Sequence, residues 1–364
     1  MYINIINNIA IMSENIPPQP DLPDPSLKGV VGLMNLGNTC YANSVIQVLR
    51  SIPELSAYIL NENLKDSCIK TNSSPVNIIL GFQDILKSLW SAYRPSYVRP
   101  AGFQSIIASA VKDTIYDFFG MPVPNDSHEY LIYLLDNFHE ALNENSGRKL
   151  DDNININNRS IEELANNGWN RFIQQNKSII IDMFFGMTKK TVICKECNNK
   201  SHSWETFNIL KIPCEGDSFT EWLQNEFKDE ELDGYNCDSC RRKNIKAIIQ
   251  TRIWKLPKNL FVVIRRFNPD RRKNTTKCPY DGRRISLSSI FDIDSPHKSK
   301  SYIYDIAGTI DHHGSHMGGH YISQMRHPIT KKWWIVDDER TYPIELPSFS
   351  SATYILLFRS QKIE

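Results

Sequence analysis

Cys40 follows the turn-forming run Gly37-Asn38-Thr39 and opens a stretch from Tyr41 to Ile52 in which Val45, Ile46, Val48, Leu49 and Ile52 recur at helical spacing until Pro53 stops the pattern. A thiol at a helix N-terminus meets unpaired N–H groups and the positive dipole end, which lower its pKa and keep it open for attack. The other common fate of a lone cysteine is burial as a small apolar side chain, and Cys40 alone leaves both open. Far downstream, His313-Gly314-Ser315-His316-Met317-Gly318-Gly319 leads into His320 and a strand-like run, and its glycines permit close approach by another backbone. A turn at His327-Pro328-Ile329-Thr330 then returns the chain as Trp333-Trp334-Ile335-Val336-Asp337-Asp338. Such a hairpin sets Asp337 beside His320, where it can orient the imidazole and stabilise its charged form. Cysteine, histidine and acid so arranged are the nucleophile, base and orienter of covalent catalysis. Without the histidine, Asp337 and Asp338 read as a solvated strand end.

Four further cysteines form two pairs, Cys194-x2-Cys197 and Cys237-x2-Cys240. Tetrahedral zinc takes four thiolates from two short-spaced pairs on tight turns, and this pattern fits a closed structural site. The separation, residues 198–236, is longer than that of a compact zinc ribbon; a redox pair and four free thiols are the competing readings. Cys68, Cys214 and Cys278 read as ordinary thiols.

The elements that must position these groups belong to a chain of 364 residues with a formal charge of +1, 41% hydrophobic and 23% charged. That composition excludes collagen, coiled coil and wholesale disorder, and gives no global drive toward nucleic acid or an anionic membrane. Eight cysteines are too sparse for a disulfide-stapled mini-domain and suit a reducing compartment, cytosol or nucleus. The apolar start Met1-Tyr2-Ile3-Asn4-Ile5-Ile6 lacks the positive region of a secretory signal, and no uncharged apolar run approaches the roughly 20 residues of a membrane helix. Residues 13–26 crowd prolines among polar residues and read as an extended linker, with the folded body starting near Leu27.

Helices are expected at 41–52, 78–92 and 102–118, and from the capping-box pattern Asp126-Ser127-His128-Glu129 through Leu142. The Asn- and Asp-rich stretch 143–160 reads as a surface loop before a short helix at 160–176. Beyond Ile179 the pattern turns to strands, at 179–185, 188–193, 203–212, 246–254, 260–266, 302–310, 319–326, 332–337 and 352–359. The fold class is therefore α+β, helices first and a largely antiparallel sheet after. The basic run Arg265-Arg266-Phe267-Asn268-Pro269-Asp270-Arg271-Arg272-Lys273 reads as a turn with a solvated face rather than a nucleic-acid site. His312, His313 and His316 beside the glycines read as a mobile loop over a channel, with protonation tuning binding near neutral pH.

With these residues in view, the chain resembles the ubiquitin-specific proteases, a large family of papain-like cysteine deubiquitinases. GLMNLGNTCYANSVIQVL at 32–49, HHGSHMGGHY at 312–321 and WWIVDD at 333–338 carry the resemblance. Shorter matches at 125–142, 182–197, 204–213 and 352–359 follow in family order, so the likeness runs from Lys28 to the end. It implies a USP-type core in residues 28–364: a helical thumb (about 28–165), β fingers with a zinc knuckle (about 186–256) and a β-rich palm (about 166–185 and 257–364), with residues 1–27 a flexible segment. It implies Cys40 as nucleophile, His320 as base, Asp337 as its orienter and Asn35 as oxyanion-hole side chain, with Asp338 assisting. An amide N–H donor together with the Cys40 N–H suits that task chemically. The resemblance further implies zinc on Cys194, Cys197, Cys237 and Cys240, and ubiquitin as the partner of a monomer that binds neither nucleic acid nor membrane. Asp126 and Glu129 would face the arginines of the ubiquitin tail while also serving as a cap, and Tyr321 would line the tail channel, a core tyrosine being its other reading. The alternatives to a deubiquitinase are a ubiquitin-binding pseudoenzyme and a protease for another ubiquitin-like modifier.

Overall fold

In a computed structural model, residues 28–68, 73–91, 93, 95–149, 159–298 and 303–361 are described. The proline-rich segment 13–26 and the middle of the Asn/Asp-rich stretch, 150–158, lie outside them. The helices in chain order are α1 (Cys40–Arg50), α2 (Pro53–Ile59), α3 (Ser74–Leu89), α4 (Ala101–Val111), α5 (Ser127–Leu142), α6 (Ile161–Gln175), α7 (Ile179–Phe184) and α8 (Phe219–Glu226). The strands are β1 (Gly32–Leu33), β2 (Tyr97–Val98), β3 (Gly186–Cys194), β4 (Lys200–Phe207), β5 (Ile209–Ile212), β6 (Glu230–Tyr235) and β7 (Ile245–Lys255). They continue as β8 (Asn259–Ile264), β9 (Ile285–Ser286), β10 (Ile303–Ser315), β11 (Gly318–Arg326), β12 (Trp333–Asp337), β13 (Arg340–Ile344) and β14 (Thr353–Gln361).

The chain divides into two compact units, the first comprising residues 1–144, 267–277 and 307–357. At its centre α1 is buried along its whole length and packs on α5, β11 and β12, because its apolar residues are joined by small ones that let neighbours close in on every side. Its sheet runs β13-β12-β11-β10-β14, antiparallel between β10 and β13, with Ser323 opposite Val336 and His313 opposite His320. The tip expected as a mobile loop is instead strand: Ser315 pairs with Gly318, so the β10–β11 hairpin closes over His316 and Met317 alone. Gly314 takes a φ of +129° there, and a Cβ on it would meet Gly318 O at 2.5 Å. The turn before β12 is set by His327, whose Nδ1 accepts the N–H groups of Ile329 and Thr330 while Nε2 donates to Lys28 O.

The second unit comprises residues 145–266, 278–306 and 358–364. Its main sheet, β4-β3-β7-β6, is antiparallel throughout, and α6 covers it with Ala165 and Trp169 against Met187, Trp204 and Trp254. Lys189, 2% exposed, ties β3 to the segment after β9 through Asp292 at 3.0 Å and Asp294 at 2.8 Å. Elsewhere in this unit β5 and β8 run parallel.

Two local expectations are corrected. Residues 179–185 form α7 rather than a strand: the Ser178 hydroxyl accepts the Ile181 N–H, and Ile180, Ile181, Met183 and Phe184 bury at helical spacing, Phe184 against Phe261 of β8. Packing on both sides of a one-and-a-half-turn helix overrides β-branched propensity. Asp126 caps α5 through the His128 N–H at 2.6 Å, not the Glu129 N–H that a capping box uses; the reciprocal box is at Ser160 and Glu163 on α6.

Candidate active site

All the residues expected to do chemistry on a substrate lie in the first unit, which holds a cleft of about 460 Å³ lined by Cys40, Asp126, Glu129, Phe267, His312 and Tyr321, among others. Residues 35–39 fold into a turn that Asn35 organises with its side-chain carbonyl, which accepts the Gly37 N–H at 2.9 Å and the Thr39 N–H at 3.2 Å. Those two bonds fix which end of the amide is oxygen, so the NH₂ group points the other way, to Asp338 Oδ2 at 2.8 Å. An amide NH₂ has two hydrogens; Asp338 takes one, and the other remains for a ligand.

Cys40 is the first residue of α1, as expected, but it is 7% exposed and its thiol pKa lies above the ordinary value. Burial raises it most and the Asp338 charge adds to that; the backbone N–H groups of Tyr321, Tyr41 and Cys40 itself pull the other way without winning. The expectation of an acidic, open thiolate is therefore corrected: helix end and amides are in place, but desolvation outweighs them. The N–H of Tyr321, the residue after His320, is what brings the histidine strand to the thiol.

His320 bonds Asp337 Oδ1 through Nε2 at 2.6 Å, while Asp338 Oδ2 is 4.0 Å from the same nitrogen. A carboxylate only accepts, so Nε2 carries the hydrogen, and in the neutral form of the ring Nδ1 is the nitrogen with the lone pair. Asp338 faces inward instead. Its Oδ1 accepts from Asn43 Nδ2 at 2.8 Å and its Oδ2 from Asn35, and its side chain is 9% exposed. Around this pair the cysteine box and the acid box are stitched directly: Leu33 N–H donates to Asp338 O at 2.8 Å and Asn35 N–H to Glu339 Oε1 at 2.9 Å. The close approach requires Gly32, where a Cβ would stand 2.3 Å from the Glu339 carbonyl carbon.

Asp126 is committed twice over, to its cap and to the Tyr354 hydroxyl, which donates to Oδ2 at 2.8 Å. Tyr321 is 6% exposed and packs on the His312 ring at 4.5 Å between centroids, so its lining of the cleft and its place in the core are both real. His312 is buried, and burial pushes its pKa down to about 4, which removes it as a switch near neutral pH. The basic run is a turn: Asn268 N–H donates to Arg272 O at 2.9 Å, and Phe267 turns inward onto His312 and Tyr354. Sequence reasoning passed over Asn43, Tyr354 and Glu339. Asn43 carried a signal, since it stands three residues after Cys40 and so shares its helical face.

In the second unit, Cys194, Cys197, Cys237 and Cys240 converge so that all four sulfurs lie within 4.8 Å of one another, a set that can hold a metal ion. Cys194 Sγ is 4.0 Å from Cys240 Sγ, and Cys197 Sγ is 3.7 Å from Cys237 Sγ. Each pair sits on a tight turn, with Asn198 at φ +59° and Arg241 at φ +55°, and the Glu196–Arg242 ion pair bridges the two turns.

A thiol at a helix N-terminus, a histidine held by a carboxylate and an amide donor held by the next acid are the parts that nucleophile, base and orienter chemistry needs. The family model for ubiquitin carboxyl-terminal hydrolases matches residues 31–358, and the chain belongs to that family. Ubiquitin carboxyl-terminal hydrolase 2 of Rattus norvegicus is 26% identical over 92% of this chain and 54% of its own length. Ubiquitin carboxyl-terminal hydrolase Usp2 of Drosophila melanogaster is 28% identical over 92% of this chain and 35% of its own length. The chain thus spans about half, or less, of the length of these two relatives. Among solved structures, the SAGA DUB module Ubp8/Sgf11/Sus1/Sgf73 has a chain of the same fold, with a TM-score of 0.74 at 18% identity in a complex bound to monoubiquitin and 0.72 at 20% identity in one bound to ubiquitin aldehyde. Both matches cover 99% of this chain and 76% of the other. Among the described residues no helix is long and apolar enough to cross a membrane.

Proposed function

We propose that this chain is a thiol-dependent deubiquitinase, hydrolysing the amide or isopeptide bond after the terminal glycine of ubiquitin. The observation that carries the reading is Cys40 at the start of α1 together with two short bonds among its proposed partners, His320 to Asp337 and Asn35 to Asp338. Because the thiol pKa is raised, the proton leaves Cys40 as attack begins and passes to the lone pair on His320 Nδ1, with Asp337 stabilising the imidazolium. Sulfur adds to the glycine carbonyl carbon, and the oxyanion is held by the second Asn35 N–H and the Cys40 N–H. Imidazolium then protonates the departing lysine amine, leaving a thioester. Water, deprotonated by His320, hydrolyses it and returns the proton to sulfur. Asp338 acts by holding Asn35 rather than His320.

Substrate recognition follows from the same cleft. Asp126 and Glu129 both line that cleft and serve the basic tail of ubiquitin, Asp126 with oxygens that also serve Tyr354 and the helix cap. Tyr321 narrows the channel to small residues. The cysteine tetrad holds structural zinc: Zn–S bonds of about 2.3 Å in a tetrahedron require sulfurs about 3.8 Å apart, between the 3.7 and 4.0 Å found. With four thiolates the site is closed, and zinc there would hold together the two turns of the fingers, residues about 186–256; the thumb and palm keep the bounds given above. The reading places the protein in cytoplasm or nucleus, acting on ubiquitinated proteins as a monomer.

The test is hydrolysis of a fluorogenic ubiquitin C-terminal amide by purified protein, together with adduct formation by ubiquitin propargylamide. Both are expected from the native chain and neither from a folded Cys40→Ala variant. Turnover that survives in Cys40→Ala refutes the nucleophile. Equal or better reaction with probes of another ubiquitin-like modifier refutes the substrate.

A further inference from the structure

The β10–β11 hairpin, which presents His320, has an unusual edge. The His312 N–H bonds Ala352 O at 2.8 Å, next to the start of β14 at Thr353, and β10 continues past that point to Ser315. Carbonyls two residues apart on a strand point to the same side, so those of His312 and Gly314 face away from β11 together. Lys273 Nζ donates to both, to His312 O by a short bond and to Gly314 O at 3.3 Å. On the other edge of the same rungs, His313 pairs with His320 and Gly314 with Gly319. The loop that delivers Lys273 is itself closed: Phe267 bridges Lys273, Arg271 turns the corner at φ +62°, and the Phe267 ring lies on His312 and His316 at 5.4 and 5.8 Å.

We propose that Lys273 is a positioning residue for the reaction at Cys40, bracing the outer edge of the hairpin so that His320 stays in register with Asp337 and the thiol. The proposal rests on the deubiquitinase reading. The hairpin tip holds Gly314, Gly318 and Gly319 within six residues, so these positions add no side chains of their own to hold the strand pairing in place. An ammonium replaces the missing neighbour strand there, with three hydrogens for two carbonyls. Lys273 reaches the chemistry only through the backbone of residues 312–314 and then His320, so its loss affects geometry rather than the reacting atoms. Misplacement by about 1 Å far from the chemistry can cost a factor of about 10² in rate, and loosening one edge of a still-paired hairpin is expected to cost about 10-fold.

The experiment compares the full chain with Lys273→Met and Lys273→Arg, using kcat and KM on a ubiquitin C-terminal amide and hydrogen exchange of backbone amides. Lys273→Met is expected to lower kcat about 10-fold with KM changed by no more than about twofold, and to speed exchange in 312–321 while 333–337 is unchanged. Lys273→Arg, which keeps donors at that edge, is expected to recover most of both. If Lys273→Met fails to fold, Lys273→Gln is read by the same criteria. Unchanged kcat and unchanged exchange overturn the proposal, as does a rise in KM at constant kcat, which would make Lys273 a substrate-binding group. A native chain without hydrolase activity refutes the deubiquitinase reading separately, and the exchange pattern alone then decides whether the brace exists.

Discussion

Replacing Asp338 by asparagine separates the duties of the two neighbouring acids. The Asp338 carboxylate serves two NH₂ groups at once, Asn35 Nδ2 and Asn43 Nδ2, each at 2.8 Å. An amide offers one acceptor and one NH₂, so in either orientation a donor faces a donor. The lost hydrogen bond to a charged group is worth about 1.5–3 kcal/mol, and removing a carboxylate whose burial has raised its pKa returns part of that, leaving a net destabilisation of about 1–2 kcal/mol. The kinetic effect is larger. Asn35 keeps its carbonyl bonds to the 37–39 turn but loses the acceptor that aims its NH₂, and loss of one oxyanion donor costs about 10²–10³ in rate. Three measurements follow: urea unfolding, kcat/KM on a ubiquitin C-terminal amide, and alkylation of Cys40 by iodoacetamide, which forms no oxyanion. Asp338→Asn should lose about 10²-fold or more in kcat/KM, while alkylation is unchanged or faster, since a negative neighbour of the thiolate is gone. Asn35→Ala should lose about as much, and the double variant no more than either single one, because both remove the same donor. A folded Asp338→Asn protein within about threefold of native activity, or full additivity in the double variant, refutes the chain from Asp338 through Asn35 to the oxyanion.

Gly319→Ala puts a Cβ 2.2 Å from His313 O and 2.5 Å from His312 Nε2, and the first of these is backbone that cannot turn aside. A loss of about 1–3 kcal/mol in urea unfolding and a failure to react with ubiquitin propargylamide are expected, and native-like behaviour in both would contradict the packing. Asp311 is buried, with Oδ2 bonded to Gln324 at 2.7 Å, and burial raises its pKa. The folded chain therefore holds this proton more tightly than the unfolded one, so the group's contribution to stability falls as pH rises from the ordinary carboxylate range through the raised folded value. Asp311→Asn should gain on the native chain in urea unfolding between pH 4 and pH 8, roughly the span from the ordinary carboxylate pKa upward; parallel pH curves would show that the carboxyl titrates normally. For the tetrad, elemental analysis should find about one zinc per chain, and chelation should lower the unfolding midpoint. Metal well below one equivalent, with stability unchanged by chelator, removes zinc from the fingers.

The parts of the site that were legible in the sequence are those whose geometry is local. Cys40 at a helix start and Asp337 across a hairpin from His320 follow from turn chemistry and from the two-residue alternation of strands. The state of the thiol was not legible. Its burial arises because α1 is enclosed by α5, β11 and β12, elements up to some three hundred residues away, and no local pattern states how much water they exclude. The same limit explains α7, where Ile179–Phe184 carries strand propensity but is folded by the partners around it. Glycines before His320 suggested mobility because glycine permits many conformations; cross-strand pairing with His312–Ser315 selects one of them. The division of labour between Asp337 and Asp338 depends on which way each side chain points at the end of β12. Asp338 adopts a φ of +46°, which turns it off the strand and toward Asn35 and Asn43.

The bonds that join Asn35 to Asp338 and to Glu339 span 303 and 304 positions of the chain. During synthesis Cys40 leaves the ribosome while His320, Asp337 and Asp338 are still untranslated. Until residues 320–339 have emerged, Cys40 lacks its proposed base, Asn35 has no acceptor to aim it, and Gly32 has no Glu339 to close against. A nascent chain that stops short of residue 320 therefore carries the Cys40 thiol without the partners proposed for it. A stop codon between residues 50 and 337 leaves the nucleophile box intact but without its acid.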